Sequence, residues 1–126
     1  MFRNAEAISS FTVNNIDEAR RFYEDILHIK TTDEVIGFTL HFKGTKVFIY
    51  SNGKNHQPAK YFVLSITVSD IDKAVEDLKQ KKINLEIIDG MEHDEYGIIR
   101  GKASNRGPDV ALFKDPAGNL LALEEN

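Results

Sequence analysis

Cysteine is absent from this chain of 126 residues. That absence excludes disulfide staples, a thiolate nucleophile and any thiolate-bound zinc. Basic clusters are missing too: Lys and Arg total 16 against 20 Asp and Glu, for a net charge of −4, and they track no face or helix. Nucleic acid is therefore not an expected partner. No apolar run approaches a membrane span, and the opening MFRNAEAISSF lacks the apolar core of a signal peptide. A cytoplasmic protein with no membrane partner is the expectation. A chain without staples must rest on its core, and 126 residues with 41% hydrophobic content suffice for one domain.

What the chain does have is an internal echo. Phe11–Tyr23 reads FTVNNIDEARRFY, and Ile66–Leu78, 55 residues on, reads ITVSDIDKAVEDL. Thr12, Val13, Ile16, Asp17 and Ala19 answer Thr67, Val68, Ile71, Asp72 and Ala74. Each copy predicts a strand running into a capped helix, and the duplication predicts two pseudo-symmetric halves, 1–55 and 60–126, with a cleft between them.

In the first half Ala7–Val13 alternates as a strand, with Phe11 and Val13 on one face and Ile8, Ser10 and Thr12 on the other. Asn15 and Glu18 make a capping box. Ile16, Ala19, Tyr23, Ile26 and Leu27 then form a helical stripe, widened by Phe22, that ends near His28. Lys30–Val35 reads as a strand. A hairpin follows with Gly44-Thr45 at its turn, pairing Phe42 with Val47, His41 with Phe48, Leu40 with Ile49 and Thr39 with Tyr50. Phe38, Leu40, Phe42, Val47 and Ile49 share an apolar face; Thr39, His41, Phe48 and Tyr50 share a semi-polar, aromatic one suited to a ligand. Ser51–Lys60 is a polar linker, in which His56 reads as a solvated loop residue.

The second half opens with a strand over Tyr61–Val68, with Phe62, Leu64, Ile66 and Val68 toward the helix and Tyr61, Val63, Ser65 and Thr67 away from it. Asp70 caps a helix carrying Ile71, Ala74, Val75 and Leu78. Leu85–Ile88 is a short strand. Asp89–Gly107 is too long and Gly-rich for a turn, and such stretches are functional flaps or disordered. Pro108–Lys114 and Asn119–Leu123 are strands joined by an Asp115-Pro-Ala-Gly118 turn. Each half thus reads βαβββ. The expected class is α+β: a curved, mostly antiparallel sheet around a cleft, with helices outside.

The duplicated strand–helix start ending in Phe22-Tyr23, together with FKDPAGNLLALEE near the C-terminus, resembles the vicinal oxygen chelate superfamily. That group includes glyoxalase I, extradiol dioxygenases, fosfomycin-modifying transferases and bleomycin resistance proteins. The DG…DE.GI.RG pattern over Asp89–Gly101 is similar to a short group labelled glyoxalase-like. Enzymes of the superfamily hold nickel, zinc, iron or manganese through His or Glu on four strands, leaving positions open for a substrate. Carried over by motif, those four positions fall at Ile8, at or beside Phe48, at Val63 and at Ala122. None has a nitrogen or oxygen lone pair, so the resemblance implies no metal and no cofactor here.

Two readings of function follow. One is a metal-free, homodimeric binding protein of the bleomycin-resistance type that sequesters or senses a small, partly aromatic ligand. Its cleft would be lined by Ser10, Thr12, Thr39, His41, Phe48, Tyr50, Ser65 and Thr67, with Tyr96 and Arg100 from the long loop. The other is a lyase, isomerase or dioxygenase-like enzyme with non-standard residues or relocated metal ligands. His41, or His93 with Glu95, would then be its acid–base groups. Tyr61 is expected to pack at a core edge, and Glu124 to belong to an acidic tail.

Overall fold

Both predicted helix caps are present. In the computed structural model, which describes residues 1–126, the Asn15 side chain accepts the Glu18 N–H at 3.0 Å and the Asp70 side chain accepts the Lys73 N–H at 3.0 Å. Each bond satisfies one of the donors orphaned at a helix start. The helices that follow are α1, Ile16–Arg20, continued by a π-helical turn over Arg21–Ile26, and α2, Ile71–Gln80. Both end on a residue with positive φ, His28 at 58° and Lys82 at 61°. The next N–H then returns to the helix, Ile29 to the Tyr23 carbonyl and Ile83 to the Leu78 carbonyl.

The two helices differ by one residue. His28 lies thirteen positions after Asn15, whereas Lys82 lies twelve after Asp70. The extra residue is absorbed in the π turn, where the Leu27 N–H reaches back five residues to the Phe22 carbonyl. The wider turn brings the adjacent Phe22 and Tyr23 onto the core together, 5% and 0% exposed. Tyr23 then contacts Phe11, Phe22 and Phe38 at ring separations of 6.2, 5.1 and 6.3 Å.

The chain divides into two compact units, Met1–Pro58 and Ala59–Asn126. The first holds strands β1 (Ser9–Val13), β2 (Lys30–Asp33), β3 (Gly37–Phe42) and β4 (Thr45–Ser51) in the order β1-β4-β3-β2. β1 runs parallel to β4, and the other pairs are antiparallel. The second holds β5 (Phe62–Thr67), β6 (Leu85–Glu86), β7 (Ile99–Arg100), β8 (Asp109–Lys114) and β9 (Leu120–Glu125). Their order is β5-β9-β8-β6, with β7 also on β8. Two open, mixed sheets with two helices make this the expected α+β class.

Three details correct the sequence reading. The β3–β4 hairpin turns at Lys43-Gly44, so Phe42 pairs with Thr45, Leu40 with Val47 and Thr39 with Phe48. That register is two residues from the expected one, and a shift of two leaves every side chain on its expected face. In β5 a bulge interrupts the ladder between Phe62 and Leu64. One extra residue reverses the alternation upstream of it, so Phe62, expected toward the helix, shares a face with Leu120 and is 47% exposed. Finally, the stretch after β6 contains β7, which ties Ile99 to Val110 and Arg100 to Asp109.

Candidate functional site

The face of the first unit's sheet that looks away from α1 gathers six of the sequence-predicted residues. Parallel pairing sets Ser10 beside Phe48 and Thr12 beside Tyr50, and the hairpin sets Phe48 beside Thr39. His41 follows two along β3, on the same face. The inward alternation of Phe11, Val13, Phe38, Leu40, Val47 and Ile49, all buried, is what turns these six away from α1. Phe48 and Tyr50 stack with centroids 5.7 Å apart and planes at 17°, forming a half-buried aromatic shelf.

Hydroxyl and imidazole groups surround that shelf. Thr32 Oγ1 and His41 Nε2 share a hydrogen bond of 2.7 Å, and Thr39 donates to Glu34 at 3.0 Å. Thr12 Oγ1 and His56 Nδ1 share another of 2.7 Å. His56 is therefore no freely solvated loop residue: the 3₁₀ turn Gly53–Asn55 folds it back, half-buried, onto β1. No local pattern announces this, because the contact spans 44 residues. Where β3 begins, Gly37 is obligatory, since a Cβ there would overlap the Ile49 carbonyl oxygen. At the far end a groove of about 490 Å³ runs past Ile8, His41, Phe42 and Lys46.

In the second unit, Ser65 and Thr67 stand exposed on β5 beside Ala122 and Glu124. Arg100 and Tyr96 have other partners. The Arg100 guanidinium meets Asp72 on α2, Asp94 in the loop at 2.9 Å and Asp109 on β8 at 3.3 Å. Tyr96 lies beneath the Lys79 ammonium of α2, 5.1 Å from its ring centre. Glu95 is exposed, while His93 lines a cavity of this unit.

Asp94, between those candidates, organises the loop. Its Oδ1 accepts the Tyr96 and Ile98 N–H groups, each at 2.9 Å, and its Oδ2 accepts Arg100 Nε. Burial works against its charged form, yet the Ile98 N–H, Arg100 and the Tyr96 N–H outweigh it and hold the carboxyl below the usual range. The Arg100 hydrogen bond lowers Asp72 in the same way, and Asp72 first among its partners raises Arg100. Glu125 is lowered by Lys102 and by the Ile71 N–H at the start of α2. Asp94 followed three residues on by Gly97, whose N–H closes the turn on the Asp94 carbonyl at 3.1 Å, is the sequence signal that could have singled out Asp94.

The four positions that the resemblance assigns to metal ligands do not fit a metal. Ile8 is exposed, Phe48 half-buried and stacked, Val63 half-buried at the β5 bulge and Ala122 buried. None offers a donor atom. Nor do three or more His, Asp or Glu side chains come together elsewhere in an arrangement to hold an ion.

Residues 7–123 match the sequence model of the Glyoxalase/Bleomycin resistance protein/Dioxygenase superfamily. The chain belongs to that superfamily. Solved structures carry the same fold. A glyoxalase family protein from Bacillus anthracis superposes with a TM-score of 0.70 at 20% identity, over 100% of this chain and 99% of that one. The fosfomycin resistance protein FosX from Listeria monocytogenes gives 0.69 at 10% identity, over 98% and 93%. TnmS3, an antibiotic binding protein from Streptomyces sp. CB03234, gives 0.65 at 18% identity, over 97% of each. Among proteins with curated descriptions none matches the chain. No helix is long and apolar enough to cross a membrane.

Proposed function

We propose that this superfamily member is a metal-free binding protein that sequesters or senses a small, partly aromatic ligand. The observation that carries the reading is the Phe48–Tyr50 stack on one sheet face among Ser10, Thr12, Thr39 and His41. A planar ligand would lie on the aromatic shelf, and its polar edges would meet the hydroxyls and imidazoles around it. His56 joins this set through Thr12. On the second unit's sheet, Ser65 and Thr67 offer further hydroxyls to a ligand. Arg100 acts instead to fasten the long loop, and its three carboxylate partners support that role. The missing donors at Ile8, Phe48, Val63 and Ala122 support the metal-free part of the reading.

The test has two steps. Protein purified without a chelating resin is expected to carry no stoichiometric metal; near-equimolar nickel, zinc, iron or manganese overturns the metal-free reading. A thermal-shift series of planar aromatic compounds is expected to yield hits, because a ligand held by the native state alone raises the melting temperature. Tyr50→Ala should abolish those shifts and His41→Ala should reduce them. Shifts that survive both substitutions place the ligand elsewhere. Turnover of the methylglyoxal–glutathione adduct by the metal-free protein would establish the enzymatic alternative.

A further inference from the structure

Residues directly opposite each other in an antiparallel pair project their side chains to the same side of the sheet. In the first unit Lys30 on β2 stands opposite His41 on β3, and His41 stands opposite Lys46 on β4. His41 lies on the face away from α1, so both lysines lie there with it, in a row across three strands. Neighbouring strands are about 4.8 Å apart, which keeps the backbone of the whole row within about 10 Å. The observed hairpin register makes this row. In the register expected from the sequence His41 would have faced Phe48 instead.

The charge of the row is uncommitted. Lys30 and Lys46 are exposed and neither makes an ion pair. A lysine on an edge strand such as β2 can serve only to block edge pairing, but Lys46 is on β4, which lies between β1 and β3. His41 Nε2 is taken by Thr32 at 2.7 Å, which fixes the ring and leaves Nδ1 for a ligand. The acidic groups nearby are Glu6, which shares the groove with His41 and Lys46, and Glu34, which accepts the Thr39 hydroxyl. Asp33 alternates to the other face and pairs with Arg20. In a chain of net charge −4, two free ammonium groups flanking an imidazole are a local reversal of sign.

The row adjoins the aromatic shelf. Lys46 precedes Phe48 by two residues on β4, about 7 Å of strand, and on the same face. We propose that the ligand of this face is an aromatic acid: its ring lies on Phe48 and Tyr50, and its carboxylate meets Lys46 and Lys30 with His41 between them. Each ammonium is a point charge on a flexible stem, so the two can converge on one acid group just beyond the ring. This inference rests on the aromatic-shelf reading of function and adds the charge class of the ligand.

The probes are 2-naphthoate, its uncharged counterpart 2-naphthamide and the cationic 2-naphthamidine, each titrated into the full chain and followed by NMR. The acid is expected to bind about twentyfold more tightly than the amide, from two exposed ion pairs of about fivefold each. Lys46→Gln should weaken the acid about fivefold and leave the amide unchanged. Combining Lys30→Gln with Lys46→Gln should remove the advantage of the acid, and added salt should reduce it in the wild type. Tyr50→Ala should weaken acid and amide alike. Equal affinity for acid and amide, or an advantage that survives the double substitution, overturns the proposal while the aromatic reading stands. Tighter binding of the amidine also overturns it and assigns the face to Glu6 and Glu34. If none of the three probes binds, the shelf itself fails as a ligand surface and the proposal falls with it.

Discussion

Asp94 shows how much one carboxylate does when its acceptors are all used. Three donors converge on it: two backbone N–H groups that shape the loop and one guanidinium that ties the loop to α2 and β8. Removing it frees those donors and leaves Arg100 with two partners. Asp94→Ala is expected to cost about 2 kcal/mol in urea unfolding, since bonds to a charged group contribute more than neutral ones. Loss of less than a few tenths would mean the loop is held by other contacts. The same carboxylates set the acid response. Asp72, Asp94 and Glu125 all have folded pKa values below their ordinary ones, so the unfolded chain takes up protons more readily at these sites. Their contribution is complete above the unfolded values near about pH 4 and disappears as pH falls through the lower folded values. Urea midpoints should therefore drop on acidification below that range, and drop less in Asp94→Ala. A wild-type midpoint unchanged between neutral and strongly acid pH would contradict the assignment.

Among the elements, the β3–β4 hairpin has the least tolerance. Gly37 begins β3 against Tyr50, where its missing side chain lets the backbone close on the Ile49 carbonyl. Gly37→Ala is expected to destabilise the protein by about 3 kcal/mol, the upper range for overpacking a close-packed site. It should also disturb the Tyr50 ring signals by NMR, because the strand carrying the aromatic shelf must move. Wild-type stability in this variant would show that the crossing relaxes freely. The helices illustrate the opposite behaviour. α1 carries one residue more than α2 between its cap and its closing residue, and it absorbs the excess as a π turn. The ladder shifts locally, both ends stay in place and the core gains an adjacent aromatic pair.

For the whole molecule, the duplication explains why two open sheets recur, each with its first strand parallel to its last. Open sheets leave strand edges and apolar side chains without partners inside the unit, and Ile8, Val35 and Ile36 are 56%, 101% and 65% exposed. A homodimer is the expected assembly, and sedimentation velocity should return twice the chain mass. A single-chain mass across the accessible concentration range would refute it. The ligand reading scales with the assembly: if binding is saturable with one site per chain, each copy carries its own aromatic shelf.

The fold was legible because its signals are local. Caps at Asn15 and Asp70, the echo of FTVNNIDEARRFY and the DPAGN turn depend on neighbours a few residues apart, and short-range sterics and hydrogen bonding decide them. Strand faces outside the β5 bulge were legible for the same reason, and a register error of two in the β3–β4 hairpin left them intact. The candidate site was only half legible. The Phe48–Tyr50 shelf follows from alternation, but His56 reaches it through a contact 44 residues long. A single bulged residue reassigns Phe62 to a cavity. Arg100, which reads from its loop as a ligand group, is claimed by carboxylates on three separate segments. Sequence alone determined the two capped helices, the main strands and the absence of donor atoms at Ile8, Phe48, Val63 and Ala122. Tertiary structure decided which polar groups remain open to a ligand, because a charge's availability depends on partners that only folding brings within reach.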